Sequence, residues 1–140
     1  MRVVFDNNIL IDVLRPNPEF EADSKSVFQL AGSNKISPFI CANSLTDIFY
    51  ILNKVHGSLK AKKDIAKIIS IFNIIPLDVL DCIKALRSQM NDFEDAIIAV
   101  SAEKIDADYI VTRDEKFLKS SCKIKIVTPQ YIIDYMASKV

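Results

Sequence analysis

Four aspartates stand where the sequence pattern changes character. Asp6 ends the apolar run Val3-Val4-Phe5, and an apolar pattern resumes at once with Ile9, Leu10, Val13 and Leu14. Asp114 follows "YIVT", with Arg113 between. Asp47 lies in "NSLTDIFYIL" and Asp95 in "NDFEDAIIAV", both at helix beginnings. A carboxylate buried unpaired at the seam between a strand and a helix is costly. Like charges brought to ~4–6 Å raise one another's pKa and cost more. A divalent cation removes that cost, and Mg²⁺ or Mn²⁺ prefers a few carboxylate oxygens together with several waters. The chemistry these residues offer together is hard-metal ligation.

Each acid also has a purely structural role open to it. Asp92 serves as an N-cap, and acids in a first turn favour the helix dipole. Asn43 or Ser44 caps the helix that carries Asp47, making Asp47 a first-turn acid. Asp114 caps the short helix "EKFLKS". Asp92 and Asp95 are i, i+3 neighbours beside an apolar stripe of Phe93, Ala96, Ile97 and Val100. Asp6 is hardest to account for structurally, because it sits where a strand leaves the core and is followed by Asn7 and Asn8.

The elements that must position these acids are short apolar strands and longer helical patterns. Strands are predicted at Val3–Phe5, Phe39–Cys41, Ile74–Leu77, Tyr109–Val111 and Ile124–Val127. They are apolar rather than alternating, as in a sheet buried on both faces. Helices are predicted over Asn8–Leu14, over Glu19–Ala31 closed by Gly32, and over Leu45–Val55 stopped at Gly57. Further helices follow at Leu59–Phe72, with Leu59, Ile65, Ile68, Ile69 and Phe72 on one face, at Val79–Arg87 and at Glu94–Lys104. The last starts at Pro129. The alternation implies an α/β fold: a three-layer α/β/α arrangement around a central parallel sheet of four to five strands. Ligands in such sheets sit at the carboxyl ends of the strands, where Asp6 and Asp114 fall.

The 140 residues amount to about one domain, 1–140, and suffice for a real core. Half are apolar and 26% charged, an ordinary globular balance. No apolar run reaches the ~18 residues of a membrane span. Asp6 interrupts the first run too early for a signal peptide. Cys41, Cys82 and Cys122 are odd in number and widely spaced, which argues for idle thiols in a reducing cytoplasm. With only Gly32 and Gly57, phosphate-cradling glycine loops are excluded. Net charge is zero, so a polyanion must be met by a local patch or through cations.

The residues resemble the PIN-domain family of metal-dependent nucleases, and the resemblance runs from the first strand almost to the C-terminus. It is carried by "VVFDNN", "NSLTDIFYIL", "DFEDAIIAVSAEKIDADYIVTRDEKFL" and "IKIVTPQYIIDYM". The third is the most specific: an acid-led helix, a loop, a strand and then Thr-Arg-Asp. By resemblance, Asp6, Asp47, Asp95 and Asp114 match the family's catalytic acids, and Asp92 stands where many members have an additional one. Asn8 matches the asparagine of the Asp-x-Asn motif and Thr112 the hydroxyl before the last acid. Asn7 stands where threonine or serine is frequent, and Asp47 is one methylene shorter than the usual glutamate.

The resemblance implies a PIN-like fold and hydrolysis of single-stranded RNA. One or two Mg²⁺ or Mn²⁺ ions are held by Asp6, Asp95 and Asp114, with Asp92 beside them and Asp47 direct or through water. It also implies a homodimer and an antitoxin protein as partner, as in the toxin half of a VapBC-like toxin–antitoxin pair. Arg15, Arg113, Lys116 and Lys119 lie near the acids and are candidates to guide the RNA backbone; Lys54, Lys60, Lys62, Lys63 and Lys67 cluster on a helical hairpin as a solvated face. The apolar, amphipathic hairpin Leu45–Phe72 is the expected dimer contact. His56, the one histidine, is read as an exposed or capping residue. A haloacid-dehalogenase-type phosphatase would want a second aspartate where Asn8 stands, and "DNN" lacks a receiver domain's acidic pair. A non-catalytic RNA- or protein-binding module with a relic site, or an RNA-processing nuclease outside toxin–antitoxin systems, are the alternatives.

Overall fold

The computed structural model describes residues 1–15 and 17–139. Five strands, β1 (Arg2–Phe5), β2 (Ser37–Cys41), β3 (Asn73–Ile75), β4 (Tyr109–Val111) and β5 (Lys125–Val127), form one sheet in the order β3-β2-β1-β4-β5. All four pairings are parallel. Eight helices are described: α1 (Asn7–Leu14), α2 (Glu21–Gly32), α3 (Ala42–His56), α4 (Ser58–Ile71), α5 (Val79–Arg87), α6 (Phe93–Lys104), α7 (Glu115–Leu118) and α8 (Pro129–Ala137).

The sheet is covered on both faces, which is why its strands are apolar throughout. Along β1, Val3 and Phe5 point into one core and Val4 into the other, as the two-residue strand period requires. The first core collects Ile9, Leu10, Val27, Ile48, Ile68 and Ile132 from α1, α2, α3, α4 and α8. The second collects Ile98, Ala102 and Phe117 from α6 and α7, and α5 packs outside α6 through Ala85 against Ala96, Ile97 and Val100. This is the three-layer parallel α/β/α arrangement that the periodicity predicts.

Several local expectations are corrected. Helix α3 begins at Ala42, ahead of the Leu45 that its periodicity suggests, because the chain turns straight from β2. Cys41 is its N-cap and makes no side-chain capping bond, so neither Asn43 nor Ser44 caps it. On α4 the buried positions are Ala61, Asp64 and Ile68, while Leu59 and Ile69 face outward. Phe93, predicted to belong to the buried stripe of α6, is 49% exposed, while the residues from Ala96 to Ala102 are all buried. Gly57, at φ 85°, turns α3 into α4 in a single residue, a conformation other residues resist. All three cysteines are free thiols. His56 is half-buried, and its Nε2 lies 3.3 Å from the Leu14 carbonyl at the end of α1. No described helix is long and apolar enough to cross a membrane.

Strand β1 lies between β2 and β4: the chain builds outward from it through β2 and β3, then crosses back to add β4 and β5 on its other side. The carboxyl ends of β1 and β4 therefore mark the topological switch point, where parallel α/β sheets open a crevice.

Candidate metal centre

Asp6 follows β1 directly. Its backbone N–H donates to the Val111 carbonyl at 3.0 Å, so the β1–β4 ladder extends to this residue. Its side chain is the N-cap of α1: Oδ1 accepts from the Asn7 N–H at 2.8 Å. Oδ2 accepts from the Thr112 hydroxyl at 2.7 Å and from Asn8 Nδ2 at 3.2 Å. Thr112, fully buried just after β4, also accepts from Asn8 Nδ2 at 3.3 Å and from the Asp114 N–H at 3.1 Å. One hydroxyl thus ties both strand ends together.

Four of the other acids arrive on helix beginnings, whereas Asp47 lies beyond the first turn of α3 and not in it as the sequence suggests. Asp92 caps α6 by accepting from the Asp95 N–H at 3.0 Å. Asp114 caps α7 by accepting from the Lys116 N–H at 3.0 Å. Among the described residues no hydrogen bond reaches the Asp95 carboxylate. Asn7 Nδ2 spans two further acids, donating to Asp47 Oδ2 at 3.3 Å and to Glu94 Oε1 at 3.1 Å.

All five aspartates singled out in the sequence, with Asn8, line one cleft of about 480 Å³. Glu94 and Asn7 line it too, and Tyr50 and Ile51 form part of its wall. Sequence reasoning assigns no site role to Glu94. The signal is the crowding of "DFED": three acids in one first turn exceed what a helix dipole calls for.

The remaining candidates lie elsewhere. Arg113 forks onto buried Asp12, with Nε to Oδ2 at 2.6 Å and Nη2 to Oδ1 at 3.0 Å, and stacks over Phe20 at 4.1 Å. The Asp12 carboxylate claims the guanidinium and turns it from the cleft. Arg15 is exposed at the C-terminal end of α1. Lys116 lines a neighbouring cavity.

Six carboxylates with no basic side chain among them in the lining perturb one another. Asp95 is pushed from 3.8 up to about 7, by burial first and then by Asp92, Asp6, Asp114 and Glu94. Glu94 is raised by burial, then by Asp47, Asp6 and Asp92. Burial raises Asp6 as well, against the opposing bonds from Thr112 and Asn7. The buried amide oxygens of Asn7 and Asn8 have no hydrogen-bond partner. This all-oxygen donor set, mutually repelling, fits a hard divalent cation. Among the described residues no group of three or more His, Cys, Asp or Glu side chains is set closely enough to hold a metal ion as it stands.

Ribonuclease VapC1 of Aquifex aeolicus (strain VF5) is 23% identical over 128 residues, 88% of each chain. The DNA-bound VapBC of Salmonella typhimurium superposes with a TM-score of 0.69 at 17% identity, covering 92% of this chain and 98% of that one. A toxin–antitoxin complex from Klebsiella pneumoniae superposes with a TM-score of 0.68 at 22% identity, covering 91% and 97%. The PIN-domain family model matches residues 2–116, from the first strand through the Thr-Arg-Asp loop, and the chain therefore belongs to the PIN-domain family.

Proposed function

We propose that this PIN domain is an endoribonuclease that hydrolyses single-stranded RNA with Mg²⁺ or Mn²⁺, acting as the toxin of a toxin–antitoxin pair. The observation that carries the reading is the set of six carboxylates around one cleft at the β1–β4 switch point. Its similarity to a ribonuclease and to toxin–antitoxin complexes supports the biological role. The partners that follow are an antitoxin protein and a second copy of the chain.

In this reading Asp6, Asp95 and Asp114 would hold the cation, with Asp92, Glu94 and Asp47 as the remaining carboxylates of the cleft. When bound, the ion supplies Lewis-acid activation and offsets charge on the phosphodiester. The protein's part is orientation. Thr112 and Asn8 fix the Asp6 carboxylate, and Asn7 holds the short Asp47 side chain alongside Glu94. Preorganised carboxylates need no rearrangement as charge develops. His56 is occupied with the Leu14 carbonyl, so the site uses no histidine base.

The test is cleavage of a labelled single-stranded RNA. Wild type is expected to cut it with Mn²⁺ and to stop in EDTA, and Asp95→Asn should lower the rate by roughly a hundredfold or more, the scale of removing one preorganised charge-stabilising group. Binding without cleavage under every divalent metal would instead identify a relic site.

A further inference from the structure

Beside the acidic cleft lie two cavities, of about 490 and 640 Å³. Gln89, Met90 and Ser121 line both, so the two make one continuous groove between the α5–α6 connection and the segment joining α7 to β5. The near cavity shares no lining residue with the cleft, but its walls adjoin the cleft's acids along the chain. Asn91 on one wall precedes Asp92, and Lys116 on the other donates its backbone N–H to Asp114.

Its charge is opposite to the cleft's. Lys116 and Lys119 face the near cavity, Lys84 and Lys123 the far one, against a single acid, Glu103. Among the described residues none of the four lysines forms an ion pair. In a chain of zero net charge, four unpaired cations brought together from α5, α7 and the following loop are a local excess. A charged groove of one sign focuses field and concentrates counter-ions.

We propose that this groove is the track for the RNA backbone leading away from the cutting site, with Lys84 and Lys123 gripping phosphates well beyond the cleft. The proposal rests on the nuclease reading and adds the path of the strand. It accounts for how a polyanion is held by a site that is itself six carboxylates. The hydroxyl and amide groups of Ser88, Gln89, Asn91 and Ser121 suit a solvated sugar–phosphate chain, while Met90, Ala96, Ala99 and Val100 form an apolar floor in the far cavity.

The test is a salt series of RNA binding in EDTA, where nothing is cleaved. A single strand long enough to fill the groove is compared with one spanning the cleft alone. For single strands, every phosphate that a lysine no longer neutralises takes about 0.7 off the slope of log affinity against log salt. Lys84→Ala with Lys123→Ala should therefore flatten the long-strand slope by about 1.4 and weaken binding roughly tenfold or more at moderate salt. The short strand should bind the variant as it binds wild type. A charge-matched pair on the opposite layer, Lys25→Ala with Lys35→Ala, should leave both slopes alone. An unchanged long-strand slope, or equal losses from the two pairs of substitutions, would overturn the track while leaving the nuclease reading standing. Displacement of the long RNA by a polyglutamate peptide at equal charge concentration would assign the groove to a protein instead. Wild type that binds neither strand in EDTA would overturn the track, while cleavage with Mn²⁺ decides the nuclease reading separately.

Discussion

One oxygen of Asp6 caps α1 while the other is held by Thr112 and Asn8. Asp92 and Asp114 likewise spend one oxygen on a cap, and among the described residues no donor reaches the second. Capping and ligation are thus compatible uses of one side chain, and residue type alone cannot separate them. Asp95 is different: it caps nothing, and burial with four acidic neighbours pushes it from 3.8 up to about 7. The sign of the consequence is fixed by linkage. Unfolded, this carboxyl ionises near its ordinary value; folded, it keeps its proton until about pH 7. Folding therefore takes up a proton between these limits, and stability falls as pH rises through that window and levels above it. In a metal-free thermal melt, the midpoint of wild type relative to Asp95→Asn should fall from about pH 4 to about pH 7. Adding Mg²⁺ at neutral pH should raise wild type more than the variant. A difference that stays flat across the window would show that Asp95 ionises normally.

At the scale of elements, the cleft is assembled by the beginnings of α1, α6 and α7, with α3 supplying Asp47 from its side. Their partial positive ends soften the repulsion among the acids they carry. Orientation of the β4–α7 loop depends on a buried clamp: Asp12 on α1 accepts two bonds from Arg113, and Ser24 on α2 donates to the same carboxylate at 3.0 Å. Removing one partner leaves the other charge stranded. Asp12→Asn should cost about 3 kcal/mol, the lower end for a broken buried pair, because the Arg113 side chain keeps 27% of its surface exposed. Urea unfolding measures it, and a loss below about 1 kcal/mol, the range of surface pairs, would show the clamp to be dispensable. This clamp was not legible in the sequence, where Asp12 looks like any polar residue of an amphipathic helix and Arg113 like a free cation. The strands and the order of the acids were legible, since apolar runs ending in a carboxylate are local patterns. Glu94, Tyr50 and the true start of α3 at Ala42 depend on which way a helix is rolled in the tertiary packing. The all-round burial of α6 erased the periodicity that would have told its roll.

Across the whole molecule, zero net charge conceals strong local separation: an acidic cleft, a basic groove beside it and lysine-rich α4. That separation bears on how two copies would meet. The α3–α4 hairpin exposes Leu59 and Ile69, which suits the contact expected from its amphipathic pattern. Yet α4 carries Lys60, Lys62, Lys63 and Lys67 against Asp64 alone, so a two-fold contact that sets this face on itself would oppose like charges. Helix α5 presents an apolar stripe on a single helix, with Val79 77% and Leu86 72% exposed and Leu80 and Ile83 between them. Its rim carries both signs, Asp78 at the N-cap and Lys84 and Arg87 toward the end, each placed favourably for the helix dipole. A self-complementary contact needs apolar surface flanked by both charges, and α5 has it. Sedimentation at micromolar concentration should show wild type as a dimer and Val79→Asp with Leu86→Asp as a monomer, while Leu59→Asp with Ile69→Asp remains dimeric. The reverse pattern would return the contact to the hairpin, and a monomeric wild type would refute self-association through either face. Because the basic groove borders α5 through Lys84, a dimer formed there would set two RNA tracks at the edges of one interface. The α5 variant should then lose dimerisation while each copy keeps its metal-dependent cleavage.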